Sequence, residues 1–132
     1  MSIPLICISL LGFLVIGLGF AVSSFRAKED VLFEYPVDPE NSLYKAVRAH
    51  GNTIEYAPIL ALLIYILGQY EASGWILWCM VLATFCRYLH AAGIMFPQSV
   101  AKPNPMRFIG ALGTYISGFG LCIALFLQAI CA

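Results

Sequence analysis

The chain has 132 residues, of which 61% are hydrophobic and only 11% charged, and its seven basic residues balance seven acidic ones. A water-soluble domain carries about 25% charged residues, so this chain has too few ionic groups to cover a surface facing water; with a mean hydropathy of +0.88 it is expected to lie in a membrane. One compact unit takes about 100–200 residues, so residues 1–132 are expected to form a single domain, and zero net charge removes nucleic acid, whose phosphates demand a basic stripe.

Crossing ~30 Å of hydrocarbon as a helix takes about 20 mostly apolar residues. The hydropathy pattern predicts an all-α membrane protein with four transmembrane helices, at about residues 3–25, 42–69, 75–96 and 106–130. The first helix carries no charge before Arg26 and lacks the basic leader and small-residue cleavage motif of a secretory signal, so it is read as retained. The connection that follows holds Lys28, Glu29, Asp30, Glu34, Asp38 and Glu40 with Pro36 and Pro39, and reads as an exposed loop over residues 26–41. Asn41 or Ser42 can cap the second helix. Pro58 lies inside that helix, deprives the Ile54 carbonyl of its amide partner, and predicts a kink.

Glu71 to Gly74 is a short turn, and in the third helix only Arg87 and His90 interrupt the apolar sequence. Three prolines, Pro97, Pro103 and Pro105, mark the last connection. The fourth helix has Gly110, Thr114 and Gly118 at every fourth position; such a line lets helix backbones approach closely in lipid, although glycine is also simply common in membrane helices. Cys7, Cys79, Cys86, Cys122 and Cys131 form no Cys-x-x-Cys pair, so neither a zinc site nor a disulfide framework is indicated and the thiols read as small packing groups.

Arg26, Lys28, Lys45, Arg48, Lys102 and Arg107 gather at the first and third connections. Cytoplasmic loops collect such residues, which predicts that these two connections face the cytoplasm and both termini face away from it. The short connections and the lack of a retention signal lean toward a bacterial inner membrane.

The same topology collects the costly polar groups in one layer. Arg48, Asn52 and Glu55 stand at i, i+4 and i+7 on one helical face, which Tyr56 extends; Arg87 and His90 are i, i+3 neighbours on the third helix; Arg107 opens the fourth. An ionisable residue at membrane depth is a functional-site hypothesis by default. Glu55 has two readings here: an internal ion pair with Arg48 or Arg87, or a partner for a ligand ammonium. One carboxylate cannot neutralise Arg26, Arg48, Arg87 and Arg107 together, so the surplus points to an anionic hydrophilic ligand, and arginine's planar fork suits carboxylates. A molecule with two carboxylates and one amine fits. His50, on the far side of its helix from Asn52, and His90 are both read as packing residues.

The stretch Arg48-Ala49-His50-Gly51-Asn52-Thr53-Ile54-Glu55-Tyr56-Ala57-Pro58 resembles the signature of the MAPEG family, the membrane-associated proteins of eicosanoid and glutathione metabolism. Arg87-Tyr88-Leu89-His90 looks like that family's Arg-x-x-His stretch, and Pro105-Met106-Arg107 like the start of its fourth helix. The resemblance covers essentially the whole chain. It implies a homotrimer of four-helix subunits with glutathione as co-substrate, bound at subunit interfaces that open toward the cytoplasm. It further implies ligand roles for Arg48, Asn52, Glu55, Tyr56, Arg87 and Tyr88, and for Arg26 toward the neighbouring subunit's ligand, where an ordinary interfacial arginine is the alternative. Arg107 becomes the candidate catalytic residue: a free thiol has a pKa near ~8.5, and an adjacent guanidinium raises its thiolate fraction. The sequence departs from the family where Ala92 and Ile94 occupy the place of an expected tyrosine and where Ala111 follows Arg107 by four residues.

The expected function is therefore a membrane glutathione S-transferase, with glutathione peroxidase chemistry as an extension, acting on a lipophilic small molecule or lipid drawn from the bilayer. The competing expectation is a non-catalytic lipid- or glutathione-binding membrane scaffold. No metal is expected.

Overall fold

The computed structural model describes residues 1–132 and contains four helices and no strand: α1 (Ile3–Glu29), α2 (Ser42–Leu67), α3 (Gly74–Met95) and α4 (Pro105–Cys131). Three of the four starts carry a side-chain cap. Ser2 Oγ accepts the Leu5 amide at 3.5 Å, Asn41 Oδ1 accepts the Tyr44 amide at 3.0 Å, and Asn104 Oδ1 accepts the amides of Met106 and Arg107 at 2.9 and 3.3 Å. Pro4 and Pro105 stand in the first turns of α1 and α4, where a missing N–H costs no helical bond.

α1 runs one turn further than the sequence pattern predicts. Arg26, Ala27, Lys28 and Glu29 are polar but good helix formers, and basic residues suit the negative end of a helix, so polarity alone does not end it. Asp30 does, in the left-handed region at φ 52°, while the Asp30 and Val31 amides both close on the Arg26 carbonyl. α2 ends two residues before the predicted boundary and stays helical through Pro58, whose ring lies on its exposed side.

α3 is the hub of the bundle and touches the other three helices; α4 lies along it, α1 lies along α2, and α1 and α4 do not meet. One core draws on all four helices through Cys7, Leu11, Leu60, Ile64, Met80 and Leu121. A second, nearer the first and third connections, joins Leu14, Leu18, Ala49, Ala91 and Ile94. Phe13, Ile16 and Phe20 on α1, and Phe119 and Phe126 on α4, are left exposed, as side chains facing lipid tails would be.

The seam between α3 and α4 is tight enough to exclude a methyl group. A Cβ at Gly93 would lie 2.5 Å from the Arg107 backbone nitrogen, and one at Gly110 would lie 2.6 Å from the His90 nitrogen and 2.8 Å from the Cys86 carbonyl oxygen. Gly113 faces the Cys86 sulfur, and Thr114 and Ser117 are buried on the same side. Gly118, expected in this line, lies off it: a Cβ there would meet only Leu60 Cδ2, at 3.7 Å. The close-packed line is thus Gly110, Gly113, Thr114 and Ser117, in steps of three, one and three, which follows the helical period of 3.6 residues better than a strict step of four.

α1, α3 and α4 are each long and apolar enough to cross a membrane. The expectation of four such spans is met in three. α2 has the length, but Lys45, Arg48, His50, Asn52 and Glu55 in its first half make it too polar to qualify by composition. At one end of the bundle the Val100 amide ties the third connection to the first through the Pro39 carbonyl at 3.1 Å, and Lys45 Nζ ties it to the start of α2 through the Pro97 carbonyl at 3.1 Å.

Candidate functional site

At that end of the bundle, α2, α3 and α4 enclose a polar cavity of about 310 Å³. Arg48 and Asn52 reach it from α2, His90 and Ile94 from α3, Arg107 from the first turn of α4, and Val100 from the connection before it. A second, wider cavity of about 650 Å³ shares His90 and Arg107 and continues along Asn104, Phe108 and Ala111. Three of the residues singled out from the sequence, Arg48, Asn52 and Arg107, therefore converge, although 59 and 55 positions separate the first two from the third along the chain.

Arg107 is placed by the cap and anchored by the loop. Asn104 fixes the start of α4, Nη1 of Arg107 donates to the Val100 carbonyl at 3.0 Å, and Nη2 donates to the Lys102 carbonyl at 3.1 Å. An arginine has five N–H donors; with two committed to the connection, three remain for a ligand.

His90 was read from the sequence as a packing residue, and the structure gives it more to do. Its side chain is 8% exposed, it lines both polar cavities, and its buried Nδ1 has no hydrogen-bond partner. Buried polar atoms are nearly always paired, so a ligand atom or a bridging molecule at Nδ1 would complete it. The signal was the i, i+3 spacing from Arg87, which puts both on the face of α3 that meets α4. His50 packs as expected: a Cβ at Gly19 of α1 would lie 3.2 Å from its Nε2.

Arg87 lies deep in the bundle. It is 2% exposed. Its Nη1 donates to Asn52 Oδ1 at 2.7 Å, its Nε donates to Thr114 Oγ1 at 3.0 Å, and its guanidinium carbon lies 4.7 Å from the centre of the Tyr56 ring. Thr114 in turn donates to the Gly110 carbonyl at 2.7 Å. Arg87 thus binds α2 and α4 to α3. The internal ion pair with Glu55 does not form: Arg87 is taken by Asn52 and Thr114, and both Arg48 and Glu55 stand on the exposed side of α2.

Tyr56 turns toward α4, where its hydroxyl lies 3.1 Å from that of Tyr115 and the two rings meet edge to face. Both border a small apolar groove between α2 and α4. Tyr115 was not anticipated, since it stands two turns beyond Arg107 and one turn beyond Ala111, where a tyrosine was looked for. Tyr88 and Arg26 lie apart from the polar cavity. Tyr88 donates to the Leu10 carbonyl at 2.7 Å and borders an apolar cavity of about 440 Å³ between α1 and α3. Arg26 donates from Nη1 to the Glu34 carbonyl at 2.8 Å, which braces the first connection.

Comparison with known proteins gives no match among curated proteins and none among solved structures. A family model does match, over residues 4–127, and it is that of the MAPEG family. The matched span takes in all four helices, the polar cavity and the Arg48 to Pro58 stretch. The chain belongs to the MAPEG family.

Proposed function

We propose that this protein is an integral-membrane glutathione S-transferase that works as a homotrimer, with α2 as the fourth membrane-spanning helix. The observation that carries this reading is the convergence of Arg48, Asn52, His90 and Arg107 on one cavity, beside a bundle whose outer face is apolar. Glutathione supplies the two carboxylates and one ammonium that the inventory of charges calls for. Arg48 and Asn52 hold a carboxylate, Glu55 takes the ammonium, and the free N–H groups of Arg107 face the sulfur.

Charge at membrane depth is expensive, and Arg48 and Glu55 are both exposed in the single subunit. A neighbouring copy and the ligand together would cover them. The arginine then stabilises the thiolate in a site from which water is largely excluded, where its field is strongest. The thiolate attacks the electrophilic carbon of a lipophilic molecule arriving from the bilayer; the C–S bond forms, the leaving group departs with the bonding pair, and the thiol proton goes to solvent.

One observation favours the second reading, a binding protein without catalysis: two donors of Arg107 already serve carbonyl groups of the third connection. Thiolate absorbance and conjugation to an aryl halide by the purified protein, alongside Arg107→Ala, decide between them. Activity lost in the variant while glutathione still binds supports the transferase. Binding without a thiolate signal in the unsubstituted protein leaves only the binding reading.

A further inference from the structure

We infer that Arg87 is a positioning residue: it locks the Asn52 side-chain amide with its oxygen inward and its NH2 toward the polar cavity, so that Asn52 can only donate to what binds there. The assignment rests on the reading of that cavity as a glutathione site, because it concerns the role of Asn52 toward the ligand.

The oxygen and nitrogen of an asparagine amide are usually told apart only by their neighbours. Here the neighbour leaves no choice, because a guanidinium has donors and no acceptor. The atom of Asn52 lying 2.7 Å from Arg87 Nη1 must be the oxygen, and Nδ2 is left to point the other way. Nothing in the chain accepts from Nδ2, and Asn52 borders the cavity.

Arg87 is itself held from both α2 and α4. Thr114 spends its own proton on the Gly110 carbonyl, so its lone pair is what receives Nε–H of Arg87. The Tyr56 ring covers one face of the guanidinium, a favourable stacking of cation on aromatic. Arg87 has no carboxylate partner, so the cavity above it keeps both a fixed donor and the field of a nearby cation. Acceptor groups are favoured there, carboxylates above all, and ammonium groups are not. The amine end of the ligand is thereby directed away from Asn52 and toward Glu55.

The discriminating variant is Asn52→Asp. A carboxylate accepts from Arg87 at least as well as the amide does, so the link between α2 and α3 survives and the melting temperature in detergent is unchanged or raised. The cavity, however, loses its donor and gains negative charge. Glutathione affinity, followed by titration calorimetry, falls by about tenfold or more, the weight of one hydrogen bond to a charged group. Arg87→Gln, which can donate or accept and so frees the amide to turn over, raises KM for glutathione with little change in kcat, and Arg87→Lys restores part of the loss.

Asn52→Asp binding glutathione as tightly as the unsubstituted protein overturns the assignment. So does Arg87→Gln lowering kcat and stability with KM unmoved, the pattern of a residue that only holds helices together. The thermal arm runs without ligand: Arg87→Met, which has no donor left for Asn52, and Asn52→Ala, singly and combined, must be non-additive in unfolding, and additivity refutes the link. A protein that fails to bind glutathione at all while keeping that coupling sinks the transferase reading and leaves the Arg87–Asn52 geometry standing.

Discussion

The α3–α4 seam makes a sharp demand on Gly110. Replacing it with alanine places a methyl carbon where 2.6 Å separates it from the His90 backbone nitrogen and 2.8 Å from the Cys86 carbonyl oxygen. Both obstacles are backbone, so no rotamer change relieves them and α4 must slide or lift from α3. Overpacking of a well-filled interior costs about 1–3 kcal/mol, and the upper end applies where nothing flexible can yield. Gly118→Ala is the internal control. Its methyl would sit 3.7 Å from Leu60 Cδ2, an ordinary contact, and removing a helical glycine gains roughly 0.5–1 kcal/mol. Gly113→Ala falls between, because it meets only the Cys86 sulfur, and adding Cys86→Ala should restore it. The assay is thermal unfolding in detergent by circular dichroism. Expected is a clear loss for Gly110→Ala, a neutral or raised midpoint for Gly118→Ala, and rescue of Gly113→Ala by the second substitution. Equal midpoints for Gly110→Ala and Gly118→Ala would refute the register of the seam.

Other perturbations probe the parts around it. Thr114→Val keeps the shape of α4 but leaves Arg87 Nε without an acceptor, and should cost about 1–3 kcal/mol in the same assay, whereas Tyr115→Phe, which removes a half-exposed hydroxyl, should cost far less. Asn104→Ala removes the cap that holds the Met106 and Arg107 amides; about 1 kcal/mol of stability is expected to go, and with it the placement of Arg107, read as a loss of conjugating activity larger than the loss of fold. Arg26→Met breaks the bond to the Glu34 carbonyl and should speed limited proteolysis within residues 31–40 while leaving the melting midpoint nearly unchanged.

The helices were legible because their signals are local. Asn41 marks the start of the second helix in the sequence, and an apolar run of about 20 residues needs no tertiary context to be seen. The end of α1 was misplaced because charge in Arg26, Lys28 and Glu29 resembles a loop, when these are equally good residues for a last helical turn. The site was legible only in outline. Arg48 and Asn52 share a face by spacing alone, but whether Arg87 points at a ligand or at Asn52 depends on the rotation of α3 against α2 and α4. Against α4 that rotation is fixed by Gly93 and Gly110, whose missing side chains admit a neighbour that the sequence does not name. Tyr115 escaped for the same reason: its partner, Tyr56, lies on a helix 59 residues earlier, and no periodicity within α4 announces it.

Arg87 also bears on how the chain gets into its membrane. Of the three helices apolar enough to span, α3 is the least apolar, and a central arginine adds about 2.5–3.5 kcal/mol to the cost of inserting it alone. Its acceptors are divided between the helix made before it, through Asn52, and the one made after it, through Thr114. While α4 is still on the ribosome, Arg87 has only one of its two side-chain acceptors. The last helix to emerge is therefore the one that commits the third to the bilayer, and truncation anywhere before Thr114 should leave an intermediate that insertion machinery and proteases can recognise.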